Sequence, residues 1–210
     1  MEGKEHFEEY GYLRLENIIE PDLINKAWQI MNANANERLY SEDMPFNVGE
    51  NYVYYDKTGE MNELAETLKN IIGSVIGHKD LFFTYTMGRI NTRGQQMRKH
   101  TDREPCQLSI TMPIAYSDAV WPISVDTSKG KRDISLDVGD ILLYKGTTVP
   151  HWREKNLYSD YMYQLYFHYV DINTEAGSYI AEYLKDGGNH MDFKGKWESI
   201  LEKFDLPLRK

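Results

Sequence analysis

Cysteine is nearly absent from this chain: Cys106 is the only one in 210 residues. One thiol excludes an internal disulfide and every multi-thiolate metal site, and a reducing, cytoplasmic setting is the expectation. Long apolar runs are missing too. The longest is four residues, far short of the about 20 that a membrane-spanning helix needs. The first residues, MEGKEHFEEYGY, hold no apolar stretch of the kind a secretory leader carries, so none is expected. Positive charge is also in deficit, with 24 Lys and Arg against 33 Asp and Glu and a net charge of −9. A field of that sign repels phosphate backbones and anionic lipid, which argues against nucleic acid and membrane partners. Arg89, Arg93, Arg98, Lys99 and Arg103 form a local exception.

A chain of this length fits one domain and buries roughly 70% of its unfolded surface without staples. Its texture divides into three stretches. Residues 1–79 read as a helical support layer with a long loop, 80–171 as a β core, and 172–210 as C-terminal helices. Leu23, Ile24, Ala27, Trp28, Ile30 and Met31 recur at the helical period after Pro21, which suits a first helical position. From Met61 to Ile76 the apolar residues keep that period over four turns, and Gly77 then stops it. Residues 33–59 are rich in Asn, Asp and Gly and predict a long loop with a strand at Tyr52–Tyr55. In the tail, Ala176, Tyr179, Ile180, Tyr183 and Leu184 give one helical face, and Trp197, Ile200, Leu201 and Phe204 another. That second face either docks on the core or builds a homodimer.

Between Asp80 and Asp171, eight short β-rich runs alternate with turn signals. This spacing predicts a sandwich, jelly roll or barrel. The expected class is α+β with a mostly β core, a double-stranded β-helix of the jelly-roll or cupin type flanked by helices.

Three His-x-Asp triplets occur, at His78, His100 and His190, so context must decide among them. His78 follows a helix end, where a cation meets the helix dipole favourably. His190 lies in a Gly-Gly-Asn-His loop with no histidine after it. Only His100-Thr101-Asp102 ends a strand-like run, where residues i and i+2 share a face. His151 stands at another strand start, 51 residues on. Two histidines and a carboxylate on one face of an octahedral ion leave three positions open, the arrangement of non-haem Fe(II) oxygenases.

The order RKHTD, then a strand-rich interval, then GDILLYKGTTVPHWRE and QLYFHYV resembles the core of the 2-oxoglutarate/Fe(II)-dependent oxygenases, in particular their small prolyl-hydroxylase-like members. The resemblance implies that His100, Asp102 and His151 bind Fe(II), with 2-oxoglutarate and O2 as co-substrates. It implies oxidative decarboxylation of the keto-acid coupled to hydroxylation of an unactivated C–H bond, on an amino acid, a peptide or another small molecule. Both histidines must be neutral to ligate, so activity is expected to fall below about pH 6.

One feature departs from the family. Its members usually anchor the distal carboxylate of 2-oxoglutarate on an Arg or Lys of the last core strand, and residues 161–168 contain neither. A carboxylate in a dry pocket still demands a cation. Arg153, two residues after His151, leads the substitutes, because a guanidinium grips a carboxylate through paired hydrogen bonds. Arg98, two before His100, and Arg89, on the first core strand, follow, with Gln164 or Tyr163 adding a hydrogen bond. Trp121, Trp152, Arg103 and the 33–59 loop are candidates for the mouth. His6, His78, His168 and His190 read as structural. The missing last-strand cation keeps open a metal-dependent isomerase or lyase of the cupin kind, and a non-catalytic binding module on the same scaffold.

Overall fold

A computed structural model describes residues 2–34, 37–39, 47–48, 51–56, 58–193 and 203. The chain begins with α1 (Glu2–Tyr10), β1 (Tyr12–Leu15) and α2 (Pro21–Asn34). Three short strands follow, β2 (Glu37–Leu39), β3 (Asn47–Val48) and β4 (Asn51–Tyr55), and then α3 (Asn62–Ile76). Eight strands come next: β5 (Leu81–Thr92), β6 (Gln96–His100), β7 (Leu108–Tyr116), β8 (Ile123–Thr127), β9 (Gly130–Ile134), β10 (Ile141–Lys145), β11 (His151–Arg153) and β12 (Tyr161–Asp171). Helix α4 (Glu175–Lys185) and a 3-10 turn at His190–Asp192 close the described part.

The helices expected around 21–31, 61–76 and 176–184 and all eight core runs form where the periodicity puts them. Gly77 ends α3 in the left-handed region, at φ 75°, a conformation that costs glycine little. Thr174 caps α4 by accepting a hydrogen bond from the Gly177 N–H at 3.0 Å. Helix α1 and strand β1 are additions to the reading, and the 33–59 loop carries β2 and β3 as well as the expected strand. The face at Trp197, Ile200, Leu201 and Phe204 lies outside the described residues.

All strand pairs are antiparallel and fall into two sheets. One has seven strands in the order β1-β10-β7-β12-β5-β4-β2, the other five in the order β3-β6-β11-β8-β9. Neither closes on itself, so the expected barrel is, in this structure, a pair of open sheets with two edges each. The larger core joins α1, α2 and α3 to one face of the seven-stranded sheet, through Phe7, Met31, Leu68, Ile72, Ile110 and Phe167 among others. A second cluster bridges the sheets, with Ile123 and Val125 of β8 against Leu142 and Tyr144 of β10. A third sets Ile180 and Ala181 of α4 on Val170.

Bulges decide which side chains face inward. Along the β5–β12 ladder His168 pairs with Tyr85 and Tyr169 with Phe83, so Thr84 has no partner of its own. Before Thr84, Leu81 and Phe83 turn to the helices. After it, Tyr85, Met87 and Arg89 turn to the space between the sheets. On β6, His151 pairs with His100 and Arg153 with Met97, a three-residue step against a two-residue one. Met97 and His100 thereby share the inner face, and Arg98 is exposed.

Candidate metal centre and its cavity

Three groups from two strands meet at one end of the space between the sheets. His100 ends β6, His151 begins β11, and the ladder places them opposite each other with ring centres 4.4 Å apart. Asp102 lies two residues past β6, where its N–H donates to the Gly146 carbonyl at 2.8 Å. Its Oδ1 is 3.8 Å from His100 Nε2 and 3.5 Å from His151 Nε2. Neighbouring ligands about 2.1 Å from a shared ion stand roughly 3 Å apart, so each of these two contacts is within about an ångström of that spacing. The three ligand atoms lie within 4.8 Å of one another.

Backbone carbonyls fix both rings. His100 Nδ1 is 2.8 Å from the Arg98 carbonyl oxygen, and His151 Nδ1 is 3.0 Å from that of Val149. A carbonyl only accepts, so each imidazole carries its proton on Nδ1 and turns Nε2 toward Asp102. Burial would raise the Asp102 carboxyl, but His151, His168 and His100 outweigh it and hold the group well below the usual carboxylate range. Burial and the neighbouring His151 push His100 down to about 4. Burial also opposes charge on His151, yet the Asp102 carboxylate raises it.

These residues line a cavity of about 480 Å³. Its walls are Tyr85, Met87 and Arg89 of β5, Met97 of β6, Tyr144 of β10, and Tyr166 and His168 of β12. Arg103, Cys106, His190 and Met191 also line it. Tyr85 stacks on His190, with centroids 3.9 Å apart, and Arg103 donates to the Tyr85 hydroxyl and to the His190 carbonyl, both at 3.1 Å. Arg153, 1% exposed, is not one of the lining residues but lies within electrostatic reach of Tyr166 and Tyr144 of that wall. Its Nη1 donates to the Trp121 carbonyl and its guanidinium stands 5.2 Å over the Trp121 ring. Nε and Nη2 have no hydrogen-bond partner. Gln164, fully buried on the inward face of β12, donates to Thr111 Oγ1 at 2.7 Å and leaves its Oε1 unpaired. Buried polar atoms left unsatisfied cost about 1–3 kcal/mol each, and several together mark a place built for a ligand.

The sequence candidates separate accordingly. His100, Asp102 and His151 come together. Arg89 lines the cavity, whereas Arg153 and Gln164 are buried and do not line it. Arg98 does not reach it: the β6 bulge turns the side chain out, against the shared face that simple alternation implies. The basic cluster also disperses, since Arg93 pairs with Asp160 at 2.6 Å and Lys99 pairs with Asp126 on the surface. Trp121 is buried beneath Arg153, and Trp152 points outward under Lys99 and Lys131. Arg103 does line the mouth. His78 lies 3.0 Å from Asp171, and His6 packs on Tyr10 and Tyr12, as structural residues would. His168 and His190, read as structural, face the cavity instead. The signal for His168 was its place on the same face of β12 as Gln164. Gly146 also escaped notice: a Cβ there would meet Asp102 Oδ2 at 2.5 Å and Ser109 Oγ at 2.6 Å. Only glycine lets the β10–β11 turn close on the carboxylate.

No protein-family profile matches the sequence, and neither does any curated protein. Solved structures do match in fold. A prolyl-4-hydroxylase from Pseudomonas putida aligns at TM-score 0.63 and 12% identity, over 80% of this chain and 97% of that one. HygX from Streptomyces hygroscopicus, with nickel and 2-oxoglutarate bound, aligns at 0.63 and 11%, over 80% and 85%. SnoN, the non-heme alpha-ketoglutarate-dependent epimerase of nogalamycin biosynthesis, aligns at 0.67 and 10%, over 81% and 82%. At such identities the likeness is one of fold.

Proposed function

We propose that the chain is a single-domain 2-oxoglutarate/Fe(II)-dependent oxygenase on a double-stranded β-helix scaffold. His100, Asp102 and His151 hold the metal, and Arg153 with Gln164 seats the distal carboxylate of the keto-acid. The observation that carries this is the pairing of the two sites: a His/Asp/His set with converging ligand atoms, backed by a buried guanidinium with unpaired Nε and Nη2. The donor set is the one non-haem Fe(II) prefers. Arg153 replaces the cation that β12 lacks, since alternation along β11 keeps it on the His151 face, and both are buried.

When bound, Fe(II) with the keto-acid and O2 supplies the oxidising equivalents for attack on an unactivated C–H bond. The chain's own residues do the rest. The Arg98 and Val149 carbonyls hold the imidazoles in the ligating tautomer. Burial favours neutral His100, and the Asp102 carboxylate, held ionised by its neighbours, would supply the negative charge that a bound cation meets. Tyr85, Met87 and Tyr166 keep water from the reacting centre, and the cavity suits an amino acid, a short peptide segment or another small molecule. One neighbour is named an epimerase, so hydroxylation is one outcome among those this type of centre performs. No helix among the described residues is long and apolar enough to cross a membrane. With one buried thiol and a net charge of −9, a cytoplasmic enzyme without nucleic acid partners is the reading.

The test is anaerobic reconstitution with Fe(II) and 2-oxoglutarate. A visible metal-to-ligand absorption band and, after admission of O2, succinate formation are expected. A folded protein that binds Fe(II) but gives no band and no succinate would move the assignment to the cupin-like isomerase or lyase.

A further inference from the structure

Asp102 offers only one oxygen to the histidines. The other, Oδ2, accepts a hydrogen bond from Ser109 Oγ at 2.7 Å. Ser109 Oγ is also 3.0 Å from His168 Nδ1. A serine hydroxyl has one proton to give, and an ionised carboxylate can only accept. The Cys106 carbonyl, at 3.4 Å, is the more distant acceptor, so that proton belongs to Asp102, and Ser109 accepts from His168 Nδ1–H. The contacts thus form a one-way relay, from His168 Nδ1–H to Ser109 Oγ–H to Asp102 Oδ2. Its parts come from separate elements: Ser109 is on β7, His168 is opposite it on β12 in the ladder, and Asp102 lies after β6. Ser109 is fully buried and His168 is 5% exposed. The Gly146 backbone closes the remaining side of Oδ2 and leaves no room even for a methyl group.

We propose that Ser109 and His168 are positioning residues that hold Asp102 as a one-oxygen ligand, with Oδ2 engaged by the relay and Oδ1 turned to the cation. The proposal rests on the metal-site reading above. It also gives His168 a defined tautomer, protonated on Nδ1, with the Nε2 lone pair available to a hydrogen-bond donor in the cavity it lines. Partners of this kind behind a ligand typically change metal affinity 10- to 100-fold.

The experiment measures Co(II) binding to the metal-free full chain by absorbance and chelator competition, with thermal unfolding to confirm folding. Ser109→Ala and His168→Leu are expected to weaken Co(II) binding about 10- to 100-fold and to alter its visible spectrum. His168→Asn, whose amide N–H can replace Nδ1–H, is expected to keep affinity within about threefold. Long-range nitrogen-15 spectra of the Zn(II)-loaded wild type need no variant and should show His168 protonated on Nδ1. Wild-type affinity in both Ser109→Ala and His168→Leu would overturn the relay while leaving the metal site standing. So would equal loss in His168→Asn and His168→Leu, or a His168 proton on Nε2. A wild type that binds no Co(II) would remove the metal site and the relay together.

Discussion

Along β12, Leu165, Phe167 and Tyr169 turn toward the helices, while Gln164, Tyr166 and His168 turn toward the second sheet. Both sets are buried, but they are buried for different ends. The first set joins an apolar core with Ile110, Leu68 and Ile72, and the one polar tip in it, the Tyr169 hydroxyl, donates to the Ala65 carbonyl at 2.8 Å. In the second set Gln164 keeps an unpaired carbonyl oxygen, and on β11 the guanidinium of Arg153 keeps two unpaired nitrogens. A period of two along a single strand thus separates the side that packs the apolar core from the side that keeps buried polar atoms unsatisfied.

The largest expected effect breaks the stabilising face. Phe167→Ala empties a fully buried ring position and should cost about 3–5 kcal/mol in urea unfolding. Gln164→Leu, three residues away on the other face, should change stability by only about 1 kcal/mol, because loss of its hydrogen bond to Thr111 Oγ1 is offset by removal of an unsatisfied amide oxygen. Its expected cost is in 2-oxoglutarate affinity, by isothermal titration against the Ni(II)-loaded protein. Equal destabilisation by the two would erase the distinction between the faces.

Arg153→Met sharpens the same contrast with the charge itself. Removing one partner of a desolvated charge pair costs about 2–5 kcal/mol in binding, so 2-oxoglutarate affinity should fall at least about 30-fold. Stability without ligand should hold or rise, since the buried cation has no carboxylate to offset its desolvation. Burial accordingly pulls the Arg153 pKa down from its usual value. Unchanged keto-acid affinity in this variant would shift the anchor to Arg89, which also lines the cavity.

How much of this was legible follows from what periodicity records. Eight strand runs, the Pro21 and Gly77 helix boundaries, and the pair of a His-x-Asp triplet with a later strand-start histidine all stand in the local pattern. The faces do not, because a bulge shifts the alternation without leaving a mark in composition. Thr84 inverts the phase of β5 midway, so that Phe83 and Tyr85 face opposite sides of the sheet. The same effect made Arg98 look inward and concealed Met97. His168 and Ser109 were missed for a second reason. Each is an isolated polar residue between apolar or aromatic neighbours, and only the ladder brings them together behind Asp102.

A second carboxylate tests whether burial by itself makes a site. Asp140, like Asp102, is largely buried and ionised, but every contact it makes is internal. It accepts from Arg14 Nη2 at 2.8 Å, the Asn17 N–H at 2.9 Å and the Asp137 N–H at 3.1 Å, tying β1 to the turn before β10. Burial raises its pKa, but Arg14 and the two backbone donors outweigh this and lower it. A lowered folded-state pKa contributes stability that is complete above the unfolded value of about 3.9 and is lost as pH falls through the folded value. Asp140→Asn should therefore cost about 1.5–3 kcal/mol at pH 7, and the gap to wild type should close in acid. Metal binding should stay unchanged. A gap that persists at pH 2 would show that geometry rather than charge carries the contribution.

The smallest effect bears on the bulge. Arg98 precedes His100 by two residues, and regular alternation would put its guanidinium in the cavity. The ladder sets His100 opposite His151 and Met97 opposite Arg153 instead, and Arg98 is exposed. Its carbonyl, not its side chain, serves the site by holding His100 Nδ1. Arg98→Ala keeps that carbonyl, so stability should stay within about 0.5 kcal/mol, as for most surface substitutions, and Ni(II) and 2-oxoglutarate affinities should match wild type. Met97→Ala, one residue earlier, removes a cavity wall and should change keto-acid binding. Were the two results exchanged, β6 would be a regular strand, and the inward set of this sheet would have to be read again from His100 backward.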